Sequence, residues 1–338
     1  MPRVSVLVPC YNAAATLPAS LASLVAQTFQ DFEVIAVDDG SSDATLQILA
    51  DQRAQDVRFQ VISLSHQGVV KALQIGLKAC TSPLVARMDS DDLCHPQRLE
   101  KQVGYLDENP SVGVVSCLVR GFPTQTLGGG FRVYIDWLNS LLSDSDIRRE
   151  MFIESPLPHP SVVFRRQLVD QVGGYQDHGW AEDYDLWLRL YLHGVAFTKL
   201  PEVLLDWREH PDRLTRRDPR YSLENFLRCK AHYLARGPLS GHEAVIVWGA
   251  GMTGRRLSKH LSRQAVPLKG FIDIDPRKIG RSLRGLPIYA PSDLPELWNS
   301  NRSLALIAAV GSRGARQLIR RQLTGLGLVE GGDYWCAA

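Results

Sequence analysis

Apolar residues along this chain fall in short blocks that stop at proline, glycine or paired carboxylates. Residues 4–8, VSVLV, end at Pro9, the pattern of a strand buried on both faces. Leu17, Leu21, Leu24 and Val25 then recur at helical spacing. The stretch 32–40, FEVIAVDDG, predicts a second buried strand, 45–53 a helix, 57–63 a third strand and 69–79 another helix. A fourth strand lies within 83–92, PLVARMDSDD, and again stops at carboxylates. Strands alternating with helices over connections of this length predict a doubly wound, mostly parallel α/β sheet. Ligands of such sheets sit at the carboxyl ends of the strands, where both acidic clusters fall.

Beyond Pro96 the pattern loosens. It predicts helices over 98–106, 133–153, 183–193 and 221–236, strands over 112–118 and 161–166, and a Gly-rich loop over 121–131. GPLSGHE at 237–243 reads as a linker. It separates a domain over 1–236 from a small Rossmann-like α/β domain over 244–338. The second domain opens with AVIVWGAGMTG, a strand running into Gly249, Gly251 and Gly254. A helix to about 263, a strand over 270–275, an apolar stretch at 304–310 and a basic helix at 314–325 follow.

Charge supports this division. The chain of 338 residues has a net charge of +2, too little to steer it onto nucleic acid. Yet the first 240 residues carry 24 Lys/Arg against 29 Asp/Glu, and the last 98 carry 14 against 7. Six scattered cysteines without a CxxC spacing argue against a zinc site or a disulfide framework and for a reducing, cytoplasmic setting. The uncharged stretch 4–30 is broken by Pro9, Asn12 and Pro18, whereas a membrane helix needs about 20 mostly apolar residues. No integral membrane segment is expected. Peripheral association at the inner membrane surface and a homo-oligomer stay open.

Asp89, Asp91 and Asp92 crowd three carboxylates into four residues. Such groups repel one another unless a cation offsets them, and Mg²⁺ or Mn²⁺ suits oxygen ligands of this kind. A solvated acidic turn is the plainer account. Asp38 and Asp39 end the second strand, where turn, N-cap and nucleotide-reading roles all remain open. Glu182 and Asp183 precede an amphipathic helix, either as charges favourable to the helix dipole or as a general base. His210, in WREHP, is a bystander or a metal ligand.

Taken in order, the motifs of the first ~215 residues resemble the inverting, nucleotide-sugar-dependent glycosyltransferases of family 2, with the GT-A fold. They are VSVLVPCYNAAATL at 4–17, QTFQDFE at 27–33, VDDGSSDAT at 37–45, ARMDSDDLCHPQRLEKQ at 86–102, LPHPSVVFRR at 157–166, GGY at 173–175, AEDYDLWLRL at 181–190 and WREHPDRLT at 207–215. The resemblance implies that Pro9 and Tyr11 line the nucleobase pocket and that Asp39 accepts from the base. It implies that Asp89 meets the ribose or diphosphate, that Asp91 ligates the metal, and that His210 approaches the metal or diphosphate. Arg87 and Arg208 become phosphate partners, and Asp183 the catalytic base. One departure is Leu73-Gln74, where many members carry Arg-Asn. The activity implied is metal-dependent transfer of a sugar, from a UDP-sugar or related donor, to a glycan, lipid-linked or other polysaccharide precursor.

In the second domain, Gly249-x-Gly251-x-x-Gly254 between strand and helix, with Asp273 ending the next strand, fits a dinucleotide-type fingerprint. NAD, a nucleotide-sugar or CoA would suit it, as would a packing role without ligand. The stretch IDPRKIGRSLRGLPIY resembles the small nucleotide-sugar-binding units of bacterial sugar acyltransferases. Two other readings remain. One is an NAD-linked or sugar-modifying enzyme centred on this domain, although no Tyr-x-x-x-Lys or catalytic His follows the fingerprint. The other is a non-catalytic nucleotide-sugar sensor, against which Asp39, Asp91 and Asp183 stand intact.

Overall fold

A computed structural model describes residues 1–301 and 303–338. The chain divides into two compact units. The first holds Met1–Arg148, Pro156–His178 and Glu182–Arg217, and the second Arg149–Ser155, Gly179–Ala181 and Asp218–Ala338.

In the first unit β1 (Val4–Cys10), β2 (Phe32–Asp38), β3 (Phe59–Ser63) and β4 (Leu84–Arg87) alternate with α1 (Leu17–Val25), α2 (Thr45–Gln55) and α3 (Val69–Ala79). Next come β5 (Leu93–Cys94), α4 (Arg98–Glu108), β6 (Val112–Phe122), α5 (Gly129–Ser140), α6 (Asp144–Glu150), β7 (Val163–Arg165) and α7 (Arg166–Gln171). Then follow α8 (Glu182–Leu192), β8 (Ala196–Arg208) and α9 (Leu214–Arg217). Eight strands form one sheet in the order β3-β2-β1-β4-β7-β6-β8-β5. The β3-β2-β1-β4 half is parallel, as the alternation predicted, and β1 and β2 are buried along their whole length. Strand order reverses beside β1, so the ends of β1, β2 and β4 open onto one crevice edge.

Strand β8 is absent from the sequence reading because Pro201 interrupts its pattern. The structure accommodates it as a bulge: Cys117 pairs with Leu200, yet Leu118 pairs with Val203, so Pro201 and Glu202 drop out of the ladder. The helix expected over 133–153 is two helices. Ser143 N–H donates to Asp146 Oδ2 and Asp146 N–H to Ser143 Oγ, each at 3.2 Å, a reciprocal cap that starts α6 afresh. Strand β6 also runs past the expected 118, to Phe122.

The second unit contains α10 (Leu223–Arg236), β9 (Ala244–Trp248), α11 (Met252–Arg263), β10 (Leu268–Ile272), β11 (Ser282–Leu283), β12 (Leu286–Tyr289), α12 (Leu294–Ser300), β13 (Leu304–Ala308), α13 (Ala315–Gly325) and β14 (Tyr334–Cys336). Its sheet runs β11-β12-β10-β9-β13-β14, parallel from β12 to β14. The unit reaches back to Asp218, well ahead of the joint expected at 237–243. The cause is α10, which lies on α11: Glu224 Oε1 is 2.9 Å from His260 Nε2, and Arg236 donates to Gln264 Oε1 at 2.7 Å. Segment 149–155 joins the same unit because buried Lys230 donates to Ile153 O at 2.5 Å and to Ala337 O at 3.2 Å.

The glycine turn after β9 is sterically demanding at two of its three positions. Gly249 has φ +123°, and a Cβ on Gly254 would lie 1.8 Å from Gly249 O. A Cβ on Gly251 would meet nothing within 4 Å. Gly254→Ala should therefore lower the thermal midpoint of the full chain by several degrees, while Gly251→Ala should shift it by about a degree or less. Thermal unfolding followed by circular dichroism measures both, and equal midpoints for the two variants would contradict the steric argument.

Candidate functional site

The turn between β4 and β5 brings Asp89, Asp91 and Asp92 together, with one oxygen from each within 4.8 Å of the others. It is fixed from behind by Met88 N–H donating to Leu7 O at 3.1 Å, Ser20 Oγ to Asp89 O at 3.1 Å and Thr16 Oγ1 to Ser90 O at 3.2 Å. Antiparallel pairing of Leu93 with Asp206 then delivers the end of β8 to the cluster. Arg208 N–H donates to Asp92 Oδ1 at 2.7 Å and Arg208 Nε to Asp91 O at 2.6 Å. His210 Nε2 lies 2.9 Å from Asp91 Oδ2. Arg87, almost wholly buried, donates to Asp89 Oδ1 at 2.6 Å.

Burial, and then the charges of Asp91 and Asp89, push the Asp92 carboxyl well above the usual carboxylate range. Asp92 Oδ2 is buried without a hydrogen-bond partner among the described residues. Hard oxygen donors, one orphaned carboxylate oxygen and an adjacent imidazole suit a divalent ion such as Mg²⁺ or Mn²⁺.

Asp39, beyond the end of β2, is buried, and both of its carboxylate oxygens accept hydrogen bonds. Oδ1 accepts from Gln67 N–H at 2.9 Å and Oδ2 from Gly68 N–H at 2.8 Å. His66 Nδ1 sits 2.9 Å from Oδ2, and the imidazole stacks on Tyr11 with ring centroids 4.1 Å apart and planes 22° apart. Pro9 is buried within β1 opposite Val37, whereas Tyr11 is 48% exposed. Tyr11 and Asp39 are thus brought to one place.

Glu182 and Asp183 occupy the first turn of α8, where negative charge is favoured by the helix dipole. Glu182 is buried. Asp183 is partly exposed, and its Oδ1 accepts from Tyr184 N–H at 2.7 Å. The pair shares a field with Arg87. Burial pushes the Tyr175 hydroxyl up, Arg87 pulls it down, and Glu182 and Asp183 push it up again. Tyr175 Oη is 2.8 Å from His159 Nε2, and His159 Nδ1 is 4.0 Å from Glu182 Oε1. Burial, reinforced by Arg87, holds His159 well below the ordinary histidine value, so the ring is neutral. His159 and Tyr175 lie within quoted motifs yet received no role, because a lone His or Tyr in a sequence carries no sign of its partner. His66 was passed over for the same reason.

In the second unit Asp273 follows β10, and its carboxylate is turned onto the chain's own groups. It accepts from Ala250 N–H and Asp275 N–H, each at 2.9 Å, and pairs with Lys278 Nζ at 2.9 Å. Burial would raise this carboxyl, but the bonds from Asp275, Lys278 and Ala250 outweigh it and hold it below the usual range. Gly249, Gly251 and Gly254 form the turn onto α11, with Met252 exposed within it and Ile274 exposed next to Asp273.

The profile of "Glycosyl transferase family 2" matches residues 5–173, and that of "CoA binding domain" matches residues 241–321. The chain is 36% identical over 217 residues to the amylovoran biosynthesis glycosyltransferase AmsE of Erwinia amylovora, covering 63% of this chain and 79% of AmsE. It is 28% identical over 249 residues to an Escherichia coli UDP-Gal:alpha-D-GlcNAc-diphosphoundecaprenol beta-1,3-galactosyltransferase, covering 72% and 88%. Among solved structures, the fold matches S. aureus TarS 1-349 in complex with UDP-GlcNAc (TM-score 0.56, 20% identity, 77% of this chain and 72% of that one). The chain spans 43% of the longer TarS structure. It also matches the mannosyltransferase PcManGT from Pyrobaculum calidifontis in complex with GDP-Man and Mn²⁺ (TM-score 0.54, 18% identity, 98% and 81%). No described helix is long and apolar enough to cross a membrane.

Removing a first ligand from the acidic cluster should be visible without any turnover. Mn²⁺ titrated into the protein with UDP present should bind Asp91→Ala at least about tenfold more weakly than the native chain. Equal Mn²⁺ affinity, measured by the loss of the free-ion EPR signal, would place the ion elsewhere.

Proposed function

The chain belongs to glycosyl transferase family 2, and we propose that it moves a sugar from a nucleoside-diphosphate sugar, a UDP-sugar first among them, to an acceptor hydroxyl with inversion at the anomeric carbon. The observation that carries this reading is the convergence of Asp89, Asp91 and Asp92 with Arg87, Arg208 and His210 at the carboxyl edge of a parallel sheet. That arrangement suits a diphosphate held through a divalent ion. Asp91 and His210 would hold the ion, with Asp89 toward the ribose or diphosphate. When bound, the ion offsets negative charge on the leaving diphosphate. Arg87 and Arg208 add fixed positive charge beside it. Tyr11 and Pro9 would flank the base, and Asp39 would accept from a base N–H.

Asp183 would take the proton from the attacking hydroxyl. Its helix-terminal, partly exposed position leaves it within reach of solvent-borne acceptors, whereas Glu182 is buried. One base and no enzymic nucleophile suffices for inversion in a single displacement, unlike the paired carboxylates of glycosidases. The printed names of the AmsE and E. coli relatives favour a glycan or lipid-linked acceptor in surface-polysaccharide assembly.

The transfer chemistry is assigned to the first unit and an accessory nucleotide site to the Rossmann-like sheet of the second, over residues 244–338. The match to a CoA binding domain and the open space over Gly251 favour a phosphate-bearing ligand there, whether CoA, NAD or a nucleotide-sugar.

Release of nucleoside diphosphate across a panel of nucleotide-sugars with Mn²⁺ tests the reaction class. With the donor so identified, Asp183→Asn should lower kcat by about 10²–10⁴-fold with donor affinity near native. Native kcat with a raised KM would make Asp183 a substrate-positioning group. In the full chain, Gly251→Asp should abolish binding of CoA, NAD or UDP-sugar at the second unit while donor turnover persists. Loss of turnover in that variant would contradict the division of labour.

A further inference from the structure

The imidazole of His66 makes, within the chain itself, the two contacts that a nucleobase needs at this site. Its ring lies on the face of the exposed Tyr11 ring, 4.1 Å between centroids and 22° between planes. Its Nδ1 faces two oxygens, Asp39 Oδ2 at 2.9 Å and Asp39 O at 3.1 Å. A carbonyl and a carboxylate only accept, so Nδ1 carries the hydrogen and donates. The imidazole thereby presents a flat face and an N–H to the groups that would take the face and imide N–H of a base.

The loop carrying His66 is firmly placed, although the side chain itself is 53% exposed. Gln67 N–H and Gly68 N–H both bond the Asp39 carboxylate, and a Cβ on Gly40 would lie 2.5 Å from His66 N. Asp39 Oδ2 accepts from Gly68 N–H at 2.8 Å, and His66 Nδ1 lies 2.9 Å from the same oxygen while it bonds Asp39 O. A base that stacked on this face of Tyr11 and donated to Oδ2 would have to take the imidazole's place. His66 can leave without exposing apolar core, because only its side chain need rotate into solvent.

We propose that His66 is a placeholder for the nucleobase: its ring fills the base position in the unliganded chain and swings out when the donor's base arrives. This rests on the reading of Tyr11 and Asp39 as the base site. The placeholder keeps Tyr11 and the Asp39 carboxylate in their receptive arrangement, and it sets a threshold on donor affinity. Bases that offer a ring N–H to the carboxylate, uracil or guanine, can repay the exchange. Cytosine and adenine, which present a bare ring nitrogen there, cannot.

The test is calorimetric titration of the full chain with UDP, and in parallel GDP and CDP, in the presence of Mn²⁺. His66→Ala should bind UDP or GDP about three- to tenfold more tightly than the native chain, since no stack or hydrogen bond must be broken first. Free imidazole added to His66→Ala should weaken that binding back toward the native value while leaving the native chain unaffected, a response that a purely structural role would not give. His66→Phe, which keeps the stack and loses the N–H, should fall between. Weaker nucleotide binding by His66→Ala, with Tyr11→Ala also weakened, would overturn the placeholder and make His66 a clamp on the bound base. Native affinity in both His66→Ala and Tyr11→Ala would overturn the base-site reading beneath it. Equal affinity for CDP and UDP would do the same for the carboxylate's part in it.

Discussion

Like-charge crowding at the end of β4 is the constraint around which the first unit is arranged. Two full negative charges 4.8 Å apart repel by roughly 3 kcal/mol at an effective dielectric of about 20, and three such pairs approach the whole stability of a typical domain. The chain relieves this in two ways. Arg87 brings positive charge to Asp89 and Arg208 to the Asp91 carbonyl, and burial keeps the Asp92 carboxyl inclined to hold its proton. Neither places a cation on the Asp91 carboxylate, which lies 2.9 Å from the largely buried imidazole of His210. A cluster so incompletely compensated is costly unless a cation completes it, which is why the geometry speaks for a ligand site more strongly than the acidic string alone.

Much of the scaffolding behind this cluster is polar and buried. Arg98, at the start of α4, donates to Arg87 O at 2.8 Å and to Gln102 Oε1 at 2.9 Å, and Gln102 in turn donates to Ser161 O at 2.9 Å. A polar network with its groups satisfied in this way specifies one arrangement of the strands it ties, because any slip would leave buried donors unmade. The carboxylates are held at β4 by groups buried away from solvent.

What the residue pattern reveals follows from range. The parallel strands were legible because their apolar runs are local and close on turn residues, as at Asp39 and Gly40, although β1 carries on through Pro9 to Cys10. So was the acidic cluster, three carboxylates within four residues. Strand β8 was not, since Pro201 is compatible with a strand only through a bulge opposite Cys117 and Leu118 that no local pattern encodes. The boundary of the second unit was hidden for a similar reason: α10 is an ordinary amphipathic helix until it is seen to bond α11 through Glu224 and Arg236. The roles of His66, His159 and Tyr175 depend wholly on partners far along the chain, and those partners appear only on folding.

The two units use the same device, an acid at the end of the second strand of a parallel sheet, and spend its lone pairs differently. Asp39 gives two to backbone N–H groups, and beside them lies a half-exposed imidazole, the ring proposed to give way to a base. Asp273 gives two to backbone N–H groups and one to the ammonium of Lys278. Exchanging that lysine for a ribose hydroxyl would break an ion pair to make a neutral hydrogen bond, roughly the weaker of the two by half. The second site is therefore poorly disposed to read a ribose through Asp273. Recognition of its proposed ligand falls instead to the phosphates, through the open turn at Gly251, the N-terminus of α11 and a segment that carries twice as many basic as acidic residues. The fingerprint spacing is met in both sequence and fold, but the side chain that would ordinarily discriminate the sugar is already spoken for.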